Sequence, residues 1–339
     1  MRRIRVAQIG TNINSHASQC FKALCAHPDM FEVVGFCIVE DEKITCPNWR
    51  ERFGDYPELT LEQILEDDSI EAVTVETDEI HLTKYAQMAA EHGKHIHMEK
   101  PGSQSVAAFE RLVNTMRDSG KVFHTGYMYR YNPCVAELMR DVKARKYGNI
   151  FSVEAQMNCR HNEKVRSWLS NFKGGMMFFL GCHLVDLVMQ IKGVPERVIP
   201  LNKSTGLDGL DVEDYGFAVL EYPDGCGLVK TSASEIGGFY RRQLVVSGER
   251  GMVELKPLEL TDVKQPADPT VTGVRVSTDA ENWFDEGVFT MSDPFPRYNG
   301  MLRAFGEYVR GEKENPYTLD YELELFKTII KCCGGERNA

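Results

Sequence analysis

Two short stretches of this 339-residue chain carry side chains able to move a proton. The first is HIHMEKPGS, residues 95–103. Pro101 keeps Lys100 out of helical dihedrals and so holds its side chain in one direction. There an ammonium can hydrogen-bond a hydroxyl or carbonyl oxygen and stabilise its developing negative charge. The bland alternative is a lysine paired with Glu99 at a loop. The second stretch is GGMMFFLGCHLVDLV, residues 174–188, in which His183 and Asp186 interrupt an apolar run. They are either a satisfied pair inside a greasy helix or a proton-transfer site, and a lone histidine in such a run more often belongs to the core.

The elements around these residues set the frame. Up to residue 125, strands alternate with helical patterns: IRVAQIG, SHASQCFKALCAH, FEVVGFCIV, LEQILED, EAVTVET, IHLTKYAQMAAEH, KHIHME, VAAFERLVNTMRDSG and KVFHTGY. That rhythm predicts parallel βαβ units in a doubly wound α/β sheet, the Rossmann architecture, with Lys100 at the carboxyl edge where ligands bind. After residue 125 the rhythm changes. A helix near 132–147 leads to a strand over 149–158 and then to the helix carrying His183. RVIPLNKS, DYGFAVLEY, GLVKTSAS, RRQLVVSG and GMVELKP follow as strands. Residues 258–300 read as a polar loop with short strands, and helices near 297–311 and 318–333 finish the chain. The expected division is therefore a dinucleotide-binding domain over 1–125 and an α+β domain over 126–339. The second domain holds an open, mostly antiparallel sheet, and the last helix is free to pack back on the first domain.

Composition narrows the classes. Hydrophobic content of 42% and charged content of 26% suit a globular protein. A formal charge of −11 argues against nucleic-acid or anionic-membrane partners. No apolar window approaches a spanning helix, and the run after the opening arginines is too short for a signal peptide. Ten cysteines without a C-x-x-C pair read as reduced thiols of a cytoplasmic protein. His95 and His97 share one strand face with no ligand set nearby in sequence, so no metal is expected.

A dinucleotide fold calls for G-x-G-x-x-G after its first strand. Here the loop is GTNINSHA: Gly10 is kept, Asn12 stands at the second glycine position, and Ser15 or Asn14 can cap the next helix. At the end of the second strand Ile38 occupies the position of the ribose-binding acid, with Glu40 two residues later. No arginine follows to take a 2′-phosphate. That favours NAD, with NADP still allowed.

With GKHIHMEKP, GYMYRYNP, the GG…GCHLVD element and YGFAVLEYPDG assembled, nearly the whole chain resembles one family. It is the glucose–fructose oxidoreductase, inositol dehydrogenase and MocA-type family of NAD(P)-dependent oxidoreductases. The resemblance implies a cofactor surface that takes in Gly10, Asn12, Ile13, Glu40, Thr77 and His81. It adds the Glu99-Lys100-Pro101 motif and Trp168. The motif's lysine polarises the substrate oxygen, and the histidine of G-x-H-x-x-D, here His183, transfers the proton. Asp186 completes that run, and Tyr127, Tyr129 and Arg130 fall in a segment bordering the substrate. One position departs from the pattern. Where the family's polyol dehydrogenases carry an aspartate four residues before the histidine, this chain has Phe179. A ring there suits a larger or less polar group, such as a glycoside's aglycone.

The expected activity is hydride transfer between the nicotinamide and a secondary alcohol or ketone of a sugar, polyol or glycoside. Two alternatives stand beside it. One is an oxidation–elimination enzyme cleaving glycosides with the cofactor recycled in place; the other is a non-enzymatic nucleotide sensor. A homodimer or homotetramer is expected, because FAVLEY and RRQLVVSG carry apolar side chains on both faces of their sheet.

Overall fold

The computed structural model describes residues 2–261 and 269–336. It separates into two compact units, one of residues 1–128 and 298–326, the other of residues 129–297 and 327–339.

In the first unit, β1 (Ile4–Ile9), β2 (Phe31–Cys37), β3 (Ala72–Val75), β4 (His95–Met98) and β5 (Phe123–Thr125) form a parallel sheet in the order β2-β1-β3-β4-β5. The two innermost flanks of β1, AVTV in β3 and VAQI in β1 itself, are buried at every residue, as a sheet covered on both faces requires. The crossovers carry α1 (Ala17–Cys25), two short helices α2 (Glu42–Thr45) and α3 (Trp49–Phe53), α4 (Leu61–Glu66), α5 (Leu82–Glu91) and α6 (Val106–Ser119). Local chemistry sets their ends. Thr60 and Gln63 form a reciprocal capping box on α4, and the Ser105 hydroxyl accepts from Ala108 N–H at the start of α6. Residues 41–53, to which the sequence assigns no element, form α2 and α3. They are held by Phe53 and Trp49 packing on Phe36 and Phe21.

The second unit begins with α7 (Pro133–Lys143), capped by Asn132, whose side chain accepts from Cys134 and Val135 N–H. β6 (Ile150–Asn158) and α8 (Glu163–Trp168) follow, and after them α9 (Cys182–Lys192). The sheet is completed by β7 (Arg197–Pro200), β8 (Tyr215–Tyr222), β9 (Gly225–Ser232), β10 (Gln243–Gly248) and β11 (Gly251–Leu255). After the β12 (Leu260–Thr261) and β13 (Thr270–Val271) ribbon come β14 (Gly273–Ser277) and β15 (Val288–Met291). Eight strands run in the order β15-β14-β11-β10-β6-β9-β8-β7, antiparallel except for the β6–β9 pair. Strict alternation of buried and half-buried residues in β8 marks a sheet with one well-covered face. Helices α10 (Asn299–Val309) and α11 (Leu319–Cys332) end the described chain; α10 is counted with the first unit, and α11 is divided at Phe326.

The run expected as one helix around His183 is two segments. Met177–Gly181 is a π-helical turn, and α9 starts only at Cys182. Gly175 explains the entry: at φ +41 its absent Cβ would lie 2.3 Å from the Glu213 carbonyl oxygen. The wider turn changes the angular step between Phe179 and His183.

Candidate active site

In the first unit the residues of interest gather at the carboxyl edge of the parallel sheet. Gly10 leaves β1 at φ +96, and a Cβ there would meet the Glu76–Thr77 peptide at 2.7 Å. Its N–H donates to Cys37 O at 2.9 Å and Asn12 N–H to Glu76 O at 3.2 Å, which stitches the loop between β2 and β3. The Asn12 side chain accepts from Asn14 N–H at 2.8 Å, closing the turn that a second glycine would otherwise make. The Ser15 hydroxyl accepts from Ala17 N–H at the start of α1, and the Ile13 side chain is 51% exposed.

Two residues outside the expected set complete this loop. The buried Glu42 carboxylate accepts from Thr11 N–H (2.7 Å), Thr11 Oγ1 (3.1 Å) and Thr77 Oγ1 (2.8 Å), and burial raises its pKa. Arg52 donates to the carbonyls of Thr11 (2.7 Å) and Asn12 (3.1 Å). An arginine therefore braces the backbone of the nucleotide loop. It arrives from α3, too far along the chain for a strand-end motif to register. Glu40, at φ +50, is engaged by Lys84 Nζ (2.6 Å) and Tyr85 OH (2.9 Å), and these bonds lower its pKa; His81 Nδ1 stands at 3.6 Å.

Lys100 follows β4 through a cis peptide to Pro101 and is only 2% exposed. Its Nζ lies 3.3 Å from Glu99 Oε1, so the pairing left open by the sequence is present. That pairing does not dispose of the lysine, because three buried carboxyls share its field. Burial pushes Glu99 up to about 7 and both Glu76 and Glu79 up to about 8, with Lys100 opposing the rise in each case. Among the described residues, no side chain donates a hydrogen bond to either Glu79 oxygen. A buried cation beside acids that hold their protons near neutrality is a setting for polarising an oxygen and trading protons. Tyr127 belongs to this unit and is buried.

The second unit supplies His183 on α9, 3% exposed, with the Tyr129 ring edge-on at 5.3 Å. Tyr129 OH donates to Glu259 at 2.6 Å, and Glu259 also accepts from Arg242 and, at 2.7–2.8 Å, from Arg297. Burial alone would raise the Glu259 pKa, but the two guanidiniums bring it down to about 2. Asp186 lies one turn on from His183 in the same helix. It takes a bidentate pair from Arg130 (Nε 3.0 Å, NH2 2.8 Å) and a bond from Gln190 at 2.9 Å, fully buried. Phe179 lies against Trp168 (5.0 Å, 88°) and within 6.2 Å of the His161 ring. Lys100 and His183 thus sit on separate units, each buried.

Comparison with known proteins matches both units. Residues 4–127 fit a family model described as an oxidoreductase family with an NAD-binding Rossmann fold, and residues 135–254 one described as the GFO/IDH/MocA C-terminal domain. Among characterised relatives, D-xylose 1-dehydrogenase (NADP(+)) 2 of Haloferax volcanii is 25% identical over 281 residues, 82% of this chain and 80% of its own. The scyllo-inositol 2-dehydrogenase (NADP(+)) IolW of Bacillus subtilis is 22% identical over 53% of this chain and 52% of its own. The solved aldose-aldose oxidoreductase of Caulobacter crescentus, complexed with glycerol, superposes with a TM-score of 0.78 over 98% of both chains at 18% identity.

Proposed function

We propose, for a chain that belongs to the GFO/IDH/MocA family of NAD-binding oxidoreductases, that it oxidises a secondary alcohol, or reduces the ketone, of a sugar, polyol or glycoside. Membership makes it an NAD(P)-dependent oxidoreductase, and its named relatives act on a pentose and an inositol. The nucleotide loop fits such a cofactor: Gly10 leaves room that a Cβ would fill, and Asn12 Nδ2 is buried without an acceptor among the described residues. Bound there, the nicotinamide supplies the hydride acceptor or donor.

The observation that carries the reading is Lys100, buried at the carboxyl edge of the sheet among Glu76, Glu79 and Glu99. Its Nζ donates a hydrogen bond to the reacting oxygen, favouring the alkoxide-like state as hydride leaves. His183 accepts the hydroxyl proton, with Tyr129 fixing the ring from its edge. Arg130 and Asp186 hold α9 by satisfying each other, so both act in positioning. Phe179, packed on Trp168, offers an apolar wall for a substrate substituent such as an aglycone.

The test is an absorbance assay of NAD and NADP reduction across aldoses, inositols and glycosides. Cofactor reduction with at least one of these classes is expected. Binding of neither cofactor in calorimetry, with no turnover of any class, would overturn the reading. Phe179→Asp is then expected to improve small polyols relative to glycosides by about 10-fold, the scale set by one altered pocket contact.

A further inference from the structure

Among the described residues, Cys20 on α1, Glu76 just past β3 and His97 on β4 bring one ligand atom each to within 4.8 Å of one another. All three side chains are buried completely. His97 Nε2 and Glu76 Oε1 stand 3.6 Å apart, beyond a hydrogen bond; His97 Nε2 meets no hydrogen-bond partner among the described residues, and the Glu76 carboxyl is met by the Cys20 thiol. A buried polar group left in this way calls for a specific explanation.

We propose that Cys20 Sγ, Glu76 and His97 Nε2 form a binding site for a zinc-class divalent cation. The ligand set is one thiolate, one imidazole and one carboxylate, the mixture that a borderline-soft dication accepts. Bonds of about 2.0–2.1 Å in tetrahedral array put two such ligand atoms about 3.3–3.4 Å apart, a few tenths from the distance found. Thiolate and carboxylate together cancel the charge of the dication, which a fully buried site demands. His97 is already oriented for the task. Its Nδ1 shares a hydrogen bond of 2.7 Å with His124 Nδ1, the kind of partner that fixes a ligating imidazole, and this leaves Nε2 toward Glu76. The cation ties α1, which follows the nucleotide loop, to two central strands, so it acts as a brace. Glu76 is shared with the acids around Lys100, but Co²⁺ retention is read without turnover and so is judged apart from the hydride-transfer reading.

The test loads metal-stripped protein with Co²⁺ and desalts it. About one equivalent is expected to remain, with a near-ultraviolet thiolate-to-cobalt absorption. Cys20→Ser is expected to abolish that absorption, and Glu76→Gln and His97→Gln to weaken Co²⁺ binding at least about 10-fold. Cys134→Ser, at a half-exposed thiol elsewhere, is expected to change nothing. X-ray absorption of the zinc-loaded natural sequence reads the site without any variant, and one sulfur at about 2.3 Å among nitrogen and oxygen ligands is expected. Retention below about 0.1 equivalent, a shell without sulfur, or an absorption that survives in folded Cys20→Ser would each overturn the site.

Discussion

Buried carboxyls meet opposite fates in the two units. At the sheet edge of the first, Glu76, Glu79 and Glu99 surround a single lysine, and burial lifts all three toward or above neutrality. In the second, Glu259 receives two guanidiniums and a tyrosine, and stays ionised down to about pH 2. Asp186 likewise faces a bidentate arginine. The difference is compensation. Where cations and donors suffice, burial costs the carboxylate little and the pair serves as scaffold; where they fall short, protons stay mobile. Perturbed acids short of partners mark chemistry more often than well-paired ones do.

The contrast can be broken at several points. The largest stability effect is expected at Arg130. Arg130→Met strands buried Asp186 and is expected to cost about 3–5 kcal/mol, read by urea denaturation. A loss no larger than that of a surface substitution would remove the scaffold reading.

A smaller, pH-dependent effect is expected at Glu79. Its folded pKa of about 8 exceeds the unfolded value of 4.5, so between them the native state holds the extra proton and stability falls as pH rises. Glu79→Gln removes that slope. It is expected to melt roughly 5 °C higher than the natural sequence at pH 9 and nearly alike at pH 5. Equal differences at both pH values would show that the carboxyl is compensated after all.

The smallest is Arg52→Met, which frees two loop carbonyls at a half-buried position. Cofactor affinity is expected to weaken by about 1–2 kcal/mol, roughly 5- to 30-fold, with kcat little changed, read by fluorescence titration and initial rates.

Much of the scaffold was legible because it rests on periodicity. AVTV and HIHM are short, apolar and spaced by helical patterns, so a parallel sheet and the position of Lys100 at its edge follow from the chain alone. What escaped depends on distant pairings. Arg130 meets Asp186 across 56 residues, and Glu42 reaches Thr11 across 31, with no spacing rule to reveal either. The π-turn at Met177–Gly181 is hidden because Gly175 needs the Glu213 carbonyl as its neighbour before the turn is forced. His97 carries no nearby ligand in sequence, whereas the fold delivers Cys20 and Glu76 to it from two other elements.

The central claim is that the lysine among poorly compensated acids and the shielded histidine do the chemistry. Single-turnover hydride transfer, measured at saturating cofactor on Lys100→Met and His183→Gln with a substrate found in the screen, tests it most directly. Each variant is expected to slow the hydride step by about 100- to 10,000-fold while cofactor affinity stays nearly unchanged. The double variant is expected to be barely slower than either single, because groups that act as a unit are not additive. A near-normal rate in either folded variant would contradict the account.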